Sequence, residues 1–159
     1  MTTQQFIDQQ RAFIEEMSKT GRVFGQAVAT VHGEIGTRIF QEGKAVDGNK
    51  IGTYSTKPGY FKMPTQEKVK FYDGGYKEFR QANDRESSFV NLVLTSTLQT
   101  DFNTGLKKVS PVKYQSRLKN VDNAKKVADL ENKYNTEIFG ISDAERNRII
   151  ELIERNMDI

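Results

Sequence analysis

Residues 3–42, TQQFIDQQRAFIEEMSKTGRVFGQAVATVHGEIGTRIFQE, decide what kind of fold this chain adopts. Phe6, Ile7, Phe13, Ile14 and Met17 recur at spacings of three, four and seven, so residues 3–18 predict a helix with one apolar stripe. Val23, Phe24, Ala27, Val28, Val31, Ile35, Ile39 and Phe40 repeat the pattern through residues 22–42 and predict a second helix. Between them, Ser18 to Gly21 reads as a break. Gly25, Gly33 and Gly36 lie inside the second pattern, each costing about 1 kcal/mol relative to alanine. Such glycines let another backbone come close. Gly43 is a natural C-terminal stop.

Beyond Gly43 the chain changes character. Asp47-Gly48 is a turn signal, and Pro58 and Pro64 follow. Residues 50–56 alternate and predict a strand. Tyr54, Tyr60, Phe61, Phe71 and Tyr72 are interleaved with lysines, which suits an extended arm or long loop at about 43–72. Tyr54, Lys57, Tyr60 and Phe61 are the large side chains least explained by a core pattern. They are candidate contacts to a neighbouring chain, since aromatics bring contact area at little rotamer cost. The alternative is a loop that packs its aromatics on its own domain.

The rest of the chain is punctuated clearly. Tyr76–Ala82 predicts a short helix. Val90, Leu92 and Leu94 alternate, with Leu98 and Phe102 following at helical spacing, so this stretch reads as core. Residues 104–109 and 112–118 predict a hairpin about Ser110-Pro111, with Leu106, Val109, Val112, Tyr114 and Leu118 as its better-buried positions. Residues 121–134 predict a mostly polar helix. Ser142 and Glu145 form a capping box ahead of a final helix whose apolar face is Ile149, Ile150, Leu152, Ile153 and Met157. The expected fold is α+β in a single domain over residues 1–159: two N-terminal helices, a small antiparallel sheet with a central hairpin, and a C-terminal helix.

Composition narrows the function. With no cysteine, disulfides, thiolate zinc sites and cysteine nucleophiles are excluded. Hydrophobic residues make up 36% of the chain and mean hydropathy is −0.67, which predicts a small core. No apolar run approaches membrane-spanning length and the first residues show no leader pattern, so a soluble protein made in the cytosol is expected. Net charge is only +3 but is unevenly spread. Residues 50–80 and 107–126 are basic, while residues from Asp129 onward are acidic. This asymmetry fits nucleic-acid contact. It equally fits head-to-tail complementarity between subunits, or faces that simply differ in sign.

Motifs for catalysis fail on inspection. Gly43 and Gly48 have P-loop separation, but Asn49 stands where the phosphate-binding lysine belongs. Asp47-Gly48-Asn49 lacks the alternating acids and closing glutamate of a calcium loop. His32 is the only histidine, too few for a typical zinc site. No carboxylate pair sits in an apolar setting that would separate two pKa values. No enzyme activity, cofactor or metal is expected.

Three segments carry a family resemblance. Thr37-Arg38-Ile39-Phe40 closes a helix and runs into a Gly-x-Asp-type turn. The stretch VNLVLTSTLQTDFNTGL, in which Thr95, Leu98 and Phe102 fall on the pattern, leads into the hairpin, with Ser96 in place of a usual glycine. IFGISDAERNRIIELIE steps into a final helix, although Asn135-Thr136-Glu137-Ile138 departs from the usual Ile-Pro-x-Arg run. In these features the chain resembles the tail-completion, or head–tail joining, proteins of tailed bacteriophages. The resemblance implies an α+β fold with packed N-terminal helices, no enzymatic activity, and a ring in the virion neck.

The expected partners are then further copies of the chain in a hexameric or dodecameric ring, the neighbouring connector, portal-complex and tail proteins, and passing contact with DNA in the channel. No membrane partner is expected. Lys113, Arg117 and Lys119 would share one strand face and concentrate positive charge at a subunit interface. Glu151, Glu154 and Asp158 on the last helix would supply the opposite sign. The alternative function is a small basic nucleic-acid-binding module.

Overall fold

In a computed structural model the described residues are 3–93 and 96–157, with side chains described from Ile7 onward. The expectations placed on the Phe6 side chain, Leu94, Thr95 and Asp158 lie outside them.

Helix α1 spans Thr3–Phe40 as one element of 38 residues, which corrects the expectation of two N-terminal helices. Ser18 to Gly21 holds no proline, and each of its residues costs about 1 kcal/mol or less relative to alanine. Meanwhile the apolar stripe keeps step across the segment, from Ile14 and Met17 to Phe24, Val28, Val31 and Ile35. Breaking the helix would forfeit a turn of hydrogen bonds and the shared face. Continuity wins. At about 1.5 Å per residue α1 is about 57 Å long. It closes at Gly43, whose φ of 62° lets the Lys44 N–H donate to the Arg38 carbonyl at 2.9 Å. A Cβ there would overlap the Phe89 ring and the Val90 carbonyl.

The expected single sheet is also corrected. Among the described residues there are two separate antiparallel ribbons: β1 (Gly59–Phe61) with β2 (Lys70–Tyr72), and β3 (Leu106–Ser110) with β4 (Lys113–Ser116). Residues 50–56 form no strand because their backbone groups bond elsewhere. The Ile51 N–H donates to the Gly43 carbonyl at 2.8 Å, and the Gly52 carbonyl accepts from Val90 at 3.0 Å. The β3–β4 hairpin stands at the expected place, with a bulge between Lys108 and Ser110. Val109 and Val112 at its tip are exposed, not buried as their pattern predicts.

The remaining helices are α2 (Gly75–Gln81), α3 (Thr97–Asn103), α4 (Val121–Tyr134) and α5 (Asp143–Met157). Asn120 caps α4 by accepting from the Asp122 and Asn123 N–H groups. The α5 capping box is reciprocal: the Ser142 N–H donates to the Glu145 carboxylate at 2.7 Å, and the Glu145 N–H to the Ser142 hydroxyl at 3.2 Å. Helix α5 runs antiparallel to the C-terminal half of α1, since Glu145 meets Arg38 while Arg148 faces Glu34. The core lies beside that half, where Val31, Ile35, Ile39 and Phe40 pack with Ile51, Tyr54, Val90, Leu98, Phe102 and Ile138. On another side the β3–β4 hairpin lies along α1 over Gly21 and Gly25. A Cβ at Gly25 would collide with the Tyr114 hydroxyl, and one at Gly21 would press on Pro111 at 3.1 Å.

Candidate assembly surfaces

The helix end at Arg38, the turn after Gly43 and the step before α5 meet around one side chain. Arg38 Nε donates to Glu145 Oε1 at 2.7 Å, Nη1 to the Lys44 and Ile138 carbonyls at 3.1 Å each, and Nη2 to the Gly140 carbonyl at 2.8 Å. With Arg38 and Glu145 both about nine-tenths buried, this node fastens three distant segments. Its donors are occupied by the chain itself, so it is scaffold.

The aromatic candidates divide by side. Tyr54 is buried beneath Arg80, whose guanidinium carbon lies 4.2 Å from the ring centroid. Its hydroxyl exchanges hydrogen bonds with Asn91, and burial pushes its pKa up. Phe61 is half-buried against Tyr76 and Phe79 in a cluster that also takes Tyr72. Tyr60, one residue along, points the other way because side chains alternate in a strand. It is 70% exposed and packs only across the ribbon on Phe71, with ring centroids 5.0 Å apart. Lys57 is exposed. The signal separating these residues is period two within β1 and β2, legible once the strands are placed.

Lys113 lies on β4, while Arg117 and Lys119 follow it, past the end of the strand at Ser116. All three are exposed, as are Lys107 and Lys108. Among the described residues none of these five is in an ion pair, so the hairpin and its flank form a basic surface. Asp101 steadies its base by accepting from the Lys119 and Asn120 N–H groups and from the Asn123 amide. These hydrogen bonds, led by that from Asn123, hold the Asp101 carboxyl below the usual range.

The largest unexpected feature is the exposed N-terminal half of α1. Residues 7–19 are all exposed, among them an apolar stripe of Ile7, Phe13, Ile14 and Met17. Its periodicity is plain in the sequence, but its exposure follows only from the unbroken helix. A second feature is a cleft of about 770 Å³ between the 54–61 segment, α2, α3 and α4. Tyr54, Phe61, Leu92, Leu98, Leu130 and Tyr134 give it apolar walls, and Lys57, Lys126 and Lys133 stand at its edge with Asp129.

His32 Nε2–H donates to the Phe102 carbonyl oxygen (3.0 Å) and the ring stacks on the Phe102 ring at 4.3 Å, joining α1 to α3. Among the described residues no group of His, Asp and Glu could hold a metal ion, and no helix is long and apolar enough to cross a membrane. No protein-family model, curated protein or solved structure matches the chain.

Proposed function

We propose that the chain is a non-enzymatic structural subunit that joins copies of itself into a closed ring in the neck of a tailed phage, between head connector and tail. The observation that carries this reading is the exposed apolar stripe of α1, Ile7, Phe13, Ile14 and Met17, of the kind that a partner chain covers. Several further features support it. Two of the three segments that resemble tail-completion proteins, the helix end at Arg38 and the step into α5, meet at the Arg38 node. The exposed Tyr60–Phe71 pair adds a second uncovered aromatic surface. The basic hairpin and the exposed acids of α5, Glu154 and the Arg148-paired Glu151, put opposite charges on different elements of one subunit, as head-to-tail contacts use.

The test is copy number in purified particles by quantitative mass spectrometry, with the neck imaged in parallel. Six or twelve copies are expected. One or two copies, or no association with particles, would overturn the reading.

A second reading rests on the unpaired lysines and arginine of the hairpin, which would suit a nucleic-acid backbone. It requires duplex-DNA affinity that falls steeply with salt.

A further inference from the structure

We infer that the Tyr54–Tyr134 cleft is a binding site for a small organic anion with a flat aromatic body, its rings seated between the walls and its anionic group at the lysine edge. This assignment is independent of the ring proposed above and gives the body of the subunit a role of its own.

The walls select the body of the ligand. Tyr54, Phe61, Tyr76 and Tyr134 bring four aromatic rings to one cavity, and Leu92, Leu98 and Leu130 add aliphatic surface. The volume of about 770 Å³ lies within the range of about 300–1,000 Å³ usual for small-molecule sites. Aromatic walls favour an aromatic guest, because ring edges and faces attract one another beyond the area they bury. Tyr76 already meets Tyr54 and Phe61 edge to face, with centroids 5.6 Å and 5.3 Å apart. That wall is packed in advance, so a guest need not order it.

Charge selects the other end. Lys57, Arg80, Lys126 and Lys133 line the cleft against a single acid, Asp129. Among the described residues none of these four cations is in an ion pair. Asp129 stands three residues after Lys126 and four before Lys133 on α4, where it can offset one positive charge and leave three.

Arg80 is the unusual member. It is 1% exposed, and its donors go to neutral acceptors: Nε to the Glu86 carbonyl at 2.6 Å, and Nη2 to Asn91 Oδ1 at 2.9 Å and the Val93 carbonyl at 2.8 Å. The Glu86 carboxyl is held below its usual range first by the Ser88 hydroxyl and only last by Arg80, and it lies outside ion-pair distance of the guanidinium. Buried charges are ordinarily paired. Here the positive field falls on a cleft with low-dielectric walls, where it attracts an anion without direct contact. A neutral apolar guest would use the walls and leave the cations unanswered. A bare phosphate would use the cations and leave the walls wet. An aromatic anion uses both.

The test compares two dyes that differ by one group. 8-Anilinonaphthalene-1-sulfonate has the aromatic body and the anionic head, and N-phenyl-1-naphthylamine is the same ring system without the sulfonate. Both brighten in apolar surroundings. At low salt the full chain is expected to bind one sulfonate dye per chain, saturably and about tenfold or more tighter than the neutral dye. Lys126→Glu with Lys133→Glu leaves two cations against three acids in the cleft. This pair should bring the two affinities within about twofold while neutral-dye binding stays unchanged, which also shows that the cleft still forms. Phe13→Glu with Met17→Glu removes the exposed stripe of α1 as a rival dye site and should change neither affinity. In the unaltered chain the methyl resonances of Leu92, Leu98 and Leu130 should shift on titration with the sulfonate dye. Absence of saturable binding, equal affinities for the two dyes, or an anion preference that survives the lysine reversals would each overturn the inference. So would dye binding that disappears with the α1 stripe.

Discussion

Arg38 and Glu145, 107 residues apart in the chain, meet at 2.7 Å with about nine-tenths of each side chain buried. The same glutamate caps α5 through its second oxygen, which accepts from the Ser142 N–H. One carboxylate thus starts the last helix and fastens it to the first. Replacing Arg38 by alanine strips the Lys44, Ile138 and Gly140 carbonyls of a donor and leaves a buried carboxylate unpaired. Arg38→Ala should cost about 3 kcal/mol in urea unfolding. Arg38→Lys, which keeps the charge but not the fork, should fall between. Glu145→Gln should cost less than Arg38→Ala, because glutamine still closes the capping box.

Two glycines of α1 should respond in opposite directions to the same change. Nothing lies within 4 Å of a Cβ at Gly33, so Gly33→Ala should stabilise by about 1 kcal/mol through helix propensity alone. At Gly25 the same gain is opposed by collision with the Tyr114 hydroxyl. Gly25→Ala should lower the thermal midpoint, and adding Tyr114→Phe should recover part of the loss. Equal midpoints for the two alanine variants would show that the hairpin does not press on α1.

Acid stability should carry the mark of Asp101. Its pKa is depressed below the ordinary 3.8, first by the Asn123 amide and then by the Lys119 and Asn120 N–H groups. A depressed carboxyl contributes fully above its ordinary value and loses that contribution as pH falls through the folded value. The difference in melting midpoint between wild type and Asp101→Asn should therefore be constant from about pH 5 to 8 and shrink below about pH 4. A difference that grows on acidification would contradict this role.

Charge on the hairpin is a test of assembly apart from folding. Lys113, Arg117 and Lys119 are exposed and outside ion pairs among the described residues. Reversing all three to glutamate should change monomer stability by no more than about 0.5 kcal/mol per site, yet reduce particle yield. Exposed pairs give about 0–1 kcal/mol each, so the effect is on orientation and rate of docking. Normal particle yield would make the asymmetry incidental.

The amino-acid sequence alone determined the features set by neighbours in the chain. The capping box at Ser142, α4 over residues 121–134 and the hairpin about Ser110-Pro111 depend on local hydrogen bonds and periodicity, and each stands where its pattern lies. Tertiary structure decided what local preference left balanced. The cost of Gly21 in a helix is small, so the shared stripe and the hairpin resting on that glycine settled α1 as one rod. The alternation of residues 50–56 was overruled because Gly43 and Val90 offered better partners for Ile51 and Gly52. The same holds for the candidate surfaces. Tyr54 and Tyr60 are alike in the sequence, and only the packing of Arg80 over one and open solvent beyond the other separates them. Ile14 and Val31 repeat one pattern along one helix, yet the body ends between them, so one is core and the other stays exposed.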